Sequence, residues 1–370
     1  MDERITKLAK TLVNYSVRLQ KGEKILIMAM GLESTALVRQ LVKESYAVGG
    51  LPFLKIHATQ IDRELYLNAT KEQFELLAEV DSKLMAEMDC VINIVANQNA
   101  CEFYDIPHEN MQLRSVLYRE PVYTKILLQK KWVTLEYPTN SMAQLAKSSL
   151  EDFENFYFNV CNLDYQKMSN AMDALVTLME QTDQVRIVGN GTDLSFSIKG
   201  IPVVKCDGDK NIPDGEVYTA PVKDSVNGHI KYNTPSSYNG FSYENVCLTF
   251  KDGRIIEATA NDTERINKIF DTDEGARYIG EFAIGVNPYI IKPMNNILFD
   301  EKIMGSFHFT PGNSYEEASN TNKSAVHWDL VCIQTEEYGG GEIYFDDVLI
   351  RKDGIFVLDS LKDLNAENLK

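Results

Sequence analysis

Hydrophobic positions in the first half of the chain alternate between two periods. Ile5, Leu8, Leu12 and Val13 recur at helical spacing, and the apolar run Lys24-Ile25-Leu26-Ile27-Met28 then reads as a short strand. After Gly31 a second helical pattern runs through Leu37 and Leu41, Gly49-Gly50 ends it, and Pro52-Phe53-Leu54-Lys55-Ile56 reads as the next strand. The alternation continues with a helix over 71–80, a strand at 90–95, a helix over 109–130 and a strand at 132–135. Strands separated in this way by helices predict a parallel sheet covered by helices.

A helical stretch from about 164 to 182 carries Met168, Met172, Leu175 and Met179 at helical spacing, where methionine is core filler rather than a ligand set. From Gln184 the pattern changes to strands and turns. Residues 185–188, 194–198 and 246–250 read as strands, the last followed by the Lys251-Asp252-Gly253-Arg254 turn. Residues 343–350 read as another strand before the Lys352-Asp353-Gly354 turn. The change of period places a domain boundary near 183. The expected architecture is an α/β N-terminal domain with a parallel sheet flanked by helices over 1–183, and an α+β, strand-rich catalytic domain over 184–370.

The length of 370 residues, 44% of them hydrophobic, suits two domains with substantial cores. Charge narrows the partners: 54 acidic against 37 basic residues give a formal net charge of -17, which disfavours nucleic acid and anionic membranes. No stretch reaches the ~20 apolar residues of a membrane span. The six cysteines are scattered without a CxxC pair, and the opening Met1-Asp2-Glu3-Arg4 lacks a signal-peptide pattern, so reduced thiols and a cytoplasmic location are expected. Met30-Gly31-Leu32-Glu33-Ser34 follows a strand but lacks GxGxxG, which argues against a nucleotide-dependent enzyme.

Only five histidines are present, and two fall in chemically suggestive settings. His327 and Asp329 are two apart in 324–331, which reads as a strand, so an imidazole and a carboxylate share one side. His308 stands between Phe307 and Phe309 ahead of Gly312, and Tyr315 follows at a reach suited to donating a hydrogen bond to developing oxyanion charge. Pro213-Asp214-Gly215 is strong turn chemistry that sets Glu216 at the head of a strand, and Glu281 similarly opens the apolar run 280–286. Taken singly, each of these residues reads as an ordinary satisfied or exposed polar group. Together they form a mixed nitrogen and oxygen set suited to zinc, cobalt or manganese, and two such ions activate water and a peptide carbonyl.

In order along the chain, these segments resemble the blocks of the thermophilic metalloaminopeptidase family. Residues 211–221, from Asn211 to Pro221, resemble the first metal-binding block, Gly280 to Asn287 the second, Phe307-His308-Phe309 with Gly312 and Tyr315 the third, and Ser324 to Asp329 the fourth. The resemblance extends to the N-terminal start and to Gly191-Thr192-Asp193-Leu194. It implies a homodimeric exopeptidase acting on peptides, with two divalent metal ions per chain held by Glu216, Glu281, His308, His327 and Asp329. Asp329 is the candidate bridging carboxylate, Glu281 the candidate general base, and Tyr315 the group that stabilises the tetrahedral intermediate or orients substrate. The rival reading is a catalytically weak, metal-retaining, peptide-binding dimer. Two features depart from the family pattern: the polar, glycine-poor segment 316–323, and Thr310-Pro311 in place of a small apolar pair. These loops are expected to line the substrate entrance.

Overall fold

The computed structural model describes residues 2–370, which divide into two compact units: Met1–Asn162 with Gly208–Ile212, and Leu163–Asp207 with Pro213–Lys370. The first unit contains a five-stranded parallel sheet in the order Leu51–His57, Lys24–Met30, Cys90–Val95, Lys131–Glu136, Asn211–Ile212. Ile25, Leu26, Ile27, Val91 and Ile92 are buried, as the continuous apolar runs of a parallel sheet require. The helix Lys71–Ala86 begins with a capping box between Thr70 and Gln73 and buries Phe74, Ala78 and Met85. The helix read over 109–130 is broken in the structure: His108–Arg114 is α-helical, Ser115–Thr124 winds more loosely around Pro121, and Leu127–Gln129 is a 3-10 turn. Proline donates no backbone hydrogen bond, so the regular ladder is interrupted there. Gly31 has φ 106°, and a β-carbon on it would come within 2.1 Å of the Ala96 carbonyl oxygen, so close packing accounts for this glycine.

The second unit opens with the helix Tyr165–Gln181, whose Met168, Met172, Leu175 and Met179 are buried. Compactness thus divides the chain at 162/163, ahead of this helix, whereas the change of period in the sequence comes after it. An eight-stranded antiparallel sheet follows in the order Arg254–Thr259, Cys247–Lys251, Asn227–Lys231, Thr192–Ser197, Gln184–Gly189, Gly341–Phe345, Val348–Lys352, Ile355–Phe356. The apolar run 343–350 is not one strand. Asp346 and Asp347 adopt φ 45° and 66° and form a two-residue hairpin turn, a left-handed pair that aspartate tolerates. The second sheet of this unit runs Val331–Ile333, Ser306–Pro311, Ile279–Gly285, Glu216–Thr219, Val204–Cys206, again antiparallel.

Candidate metal centre

The five-stranded sheet has two unlike faces, and strand alternation assigns the residues to them. Phe282 is opposite Phe309, and the ring of Phe196 from the eight-stranded sheet lies 5.0 Å from each, centroid to centroid, so this face is the core between the sheets. The intervening residues turn the other way: Ala283 is opposite both His308 and Tyr218, Glu281 is opposite Thr310, and Gly285 is opposite Glu216. Cys206 is in turn opposite Glu216. The register shifts between Ile279 and Glu281, a bulge at Gly280 beyond which Glu281 keeps the regular register of Phe282 and Ala283.

The five ligand candidates form a chain of contacts. His308 Nε2 is 3.4 Å from Glu281 Oε1 and 3.7 Å from Glu216 Oε2. His327 Nε2 is 3.4 Å from Glu281 Oε2 and 3.3 Å from Asp329 Oδ1. All five predicted ligands therefore converge, with Glu281 touching both imidazoles. The segment 324–331 is not the strand its pattern suggested. His327 makes a single bridge to Gly312 and the regular strand begins at Val331. The backbone is nonetheless extended enough to put His327 and Asp329 on one side. The ring of Tyr315 lies 4.7 Å from that of His327 and 5.7 Å from that of Tyr218.

Burial and mutual charge set the protonation of the cluster. For both histidines burial disfavours the charged ring, but the carboxylates outweigh it. Glu281 and Glu216 raise His308 to about 10, and Asp329 with Glu281 raises His327 to about 11. Burial pushes Glu216 up to about 8 against the pull of Lys302. Glu281 and Asp329 stay below the usual carboxylate range, because the two histidines more than offset their burial. Tyr315 is 44% exposed, but desolvation of its phenol and then the surrounding carboxylates hold that group above its ordinary range, keeping it a proton donor.

Several partners were not singled out in the sequence. Lys302 is fully buried, with Nζ 3.5 Å from Glu216 Oε1 and 3.8 Å from Asp214 Oδ1, and it also pairs with Glu301. The signal for it was the charged triplet Asp300-Glu301-Lys302 between apolar 297–299 and 303–304, since charges inside such a run need buried partners. Thr310 Oγ1 donates to Asp329 Oδ1 at 2.7 Å. The polar segment 316–323 is a structural tie as much as a surface: Asn320 Nδ2 donates to the carbonyls of Pro221 and Ile279, and Asn322 Nδ2 to those of Gly275 and Gly312. Both asparagines are buried, while Glu316 and Glu317 are exposed.

The donor set fits a divalent cation on its own chemistry. Glu216 Oε2 and His327 Nε2 are buried yet lack a hydrogen-bond partner, and such orphans are rare away from ligand sites. His327 Nδ1 lies 2.8 Å from the Asn313 carbonyl oxygen, which only accepts, so in the neutral ring Nδ1 carries the proton and Nε2 presents its lone pair. Glu281, His327 and Asp329 offer ligand atoms within 4.8 Å of one another. Buried carboxylates and imidazoles gathered in this way are the ligand chemistry of a divalent-metal enzyme.

Sequence comparison supplies the class to which that chemistry belongs. A model of the thermophilic metalloprotease (M29) family matches residues 1–355, and the chain belongs to that family. Aminopeptidase PepS of Streptococcus thermophilus is 25% identical, over 89% of this chain and 92% of its own. Aminopeptidase 2 of Geobacillus stearothermophilus is 23% identical, over 95% of each chain. The solved structure of wild-type AmpT from Thermus thermophilus superposes with a TM-score of 0.80 at 20% identity, covering 96% of this chain and 99% of that one, so the fold is shared along the whole chain.

Proposed function

We propose that the chain is a metal-dependent aminopeptidase whose Glu216, Glu281, His308, His327 and Asp329 hold two divalent ions, zinc, cobalt or manganese. The observation that carries the reading is charge. Asp214, Glu216, Glu281, Glu301 and Asp329 bring five carboxylates to one buried cluster, Lys302 offsets one, and with neutral histidines the remaining four negative charges match two divalent cations. When bound, such ions supply a hydroxide at neutral pH and polarise the scissile carbonyl.

The chain's own groups do the rest. Glu281 would take a proton from the attacking water and return it to the leaving amine, a role that its contacts with both imidazoles support. Tyr315, beside His327 and protonated, donates toward the oxygen on which charge develops. The aminopeptidase names of the relatives support selection of peptide amino termini. The named aminopeptidase relatives favour turnover over a binding-only role.

The decisive measurement combines metal content with cleavage. Two equivalents of metal per chain, release of single residues from free peptides and no cleavage of N-acetylated ones are expected, with Glu216→Ala and His327→Ala abolishing turnover. Robust hydrolysis by a metal-free Glu216→Ala/His327→Ala protein would overturn the mechanism. A homodimer accords with the edge strand Leu51–His57, whose Leu51, Phe53, Leu54 and Ile56 expose apolar surface, and sedimentation of a Phe53→Glu variant tests it. A cytoplasmic setting accords with six free cysteines, and no helix among the described residues is long and apolar enough to cross a membrane.

A further inference from the structure

Glu216 has a second neighbourhood. Cys206, Asp214 and Glu216 each offer a ligand atom, all within 4.8 Å of one another, which is the spacing of a metal site. The same corner is reached by Lys302, whose Nζ lies 3.5 Å from Glu216 Oε1 and 3.8 Å from Asp214 Oδ1 and whose side chain is 0% exposed. The backbone holds it there: the Lys302 N–H donates to the Phe299 carbonyl at 3.0 Å, and its carbonyl accepts from Asn287 N at 3.0 Å. Asn287 Nδ2 in turn donates to the Asp214 carbonyl at 2.8 Å. Glu216 is thereby divided. Oε1 faces the ammonium, whereas Oε2, without a hydrogen-bond partner, is the oxygen nearest His308.

We propose that Lys302 is a built-in cation filling the Cys206–Asp214–Glu216 corner in place of a further metal ion, and a positioning residue that turns Glu216 toward the metal-binding side. The second half rests on the reading of Glu216 as a ligand. A thiolate with two carboxylates is a donor set that zinc or cobalt accepts. An ammonium supplies charge at that point without vacating coordination, so metal is confined to the imidazole side of Glu216. Removing the ammonium leaves three carboxylates uncompensated and opens the corner to an exogenous cation.

Cobalt(II) is the probe, read by elemental analysis and by cobalt–thiolate charge-transfer absorption. Wild type and Cys206→Ser should bind equal cobalt with no thiolate band. Lys302→Ala should gain about one cobalt per chain together with that band, and lose the band when Cys206→Ser is added. Lys302→Arg, which keeps the charge, should retain wild-type content without a band. Loss of a metal equivalent in Cys206→Ser, or a thiolate band in wild type, would show a metal already in the corner and overturn the proposal. Unchanged content and no band in Lys302→Ala, or in the neutral Lys302→Gln should alanine not fold, would overturn it equally. A wild-type protein that binds no cobalt and cleaves nothing is a different result, and it falls on the aminopeptidase reading.

Discussion

Replacing Thr310 by valine removes one hydroxyl and keeps the branched shape that the strand packs. In the structure that hydroxyl donates to Asp329 Oδ1 at 2.7 Å, and Thr310 is 0% exposed, so water cannot take its place without opening the strand. A hydrogen bond to a charged group contributes about 1.5–3 kcal/mol net, which is the expected loss of folding stability. A bond kept when metal binds changes affinity by less than its full strength; what is lost is the fixed orientation of Asp329 toward His327 Nε2, 3.3 Å away. Groups in this outer position alter metal affinity or activity by about 10- to 100-fold. The assay is competitive metal titration against a chelating dye, alongside kcat/KM at saturating metal and thermal unfolding of the metal-free protein. Lower stability with affinity and kcat/KM within about twofold of wild type would refute the reasoning, because Thr310 would then support the fold and not the ligand.

Metal binding should release protons. His308 and His327, raised to about 10 and about 11 without metal, are charged at neutral pH and must become neutral to ligate, so affinity rises with pH toward that range. Calorimetry in two buffers of different ionisation enthalpy counts the protons, and zero release would contradict the assignment of both histidines. Gly215→Ala should destabilise by about 1–3 kcal/mol and weaken metal binding, since φ is 136° and the added carbon would lie 3.0 Å from Asn287 Cβ, one residue from Glu216; unfolding curves with and without metal report both effects. Tyr315→Phe should lower kcat by about 100-fold with metal content and KM preserved, as measured by steady-state kinetics on an aminoacyl substrate.

Local chemistry made much of this legible from sequence. The alternation of apolar runs and helical spacings gave the parallel sheet of the first unit, because continuous Val/Ile/Leu runs and amphipathic helices carry their periods in the chain itself. Within single strands the period of two also told that His308 opposes Phe307 and Phe309 across its own backbone, and the Pro213-Asp214-Gly215 turn announced Glu216. Family motifs assembled the five candidate ligands across separations that no local rule connects. What sequence left open is register between distant strands: that Ala283 lies between His308 and Tyr218, that Glu281 comes opposite Thr310, and that Cys206 comes beside Glu216. A one-residue slip would send each of these side chains to the core face, and only packing against Phe196, Phe282 and Phe309 forbids it. The same holds for Lys302. Its charge is plain in the sequence, but whether a lysine meets water or three carboxylates is decided by the tertiary structure, since desolvation and pairing depend on what the fold brings within a few ångströms.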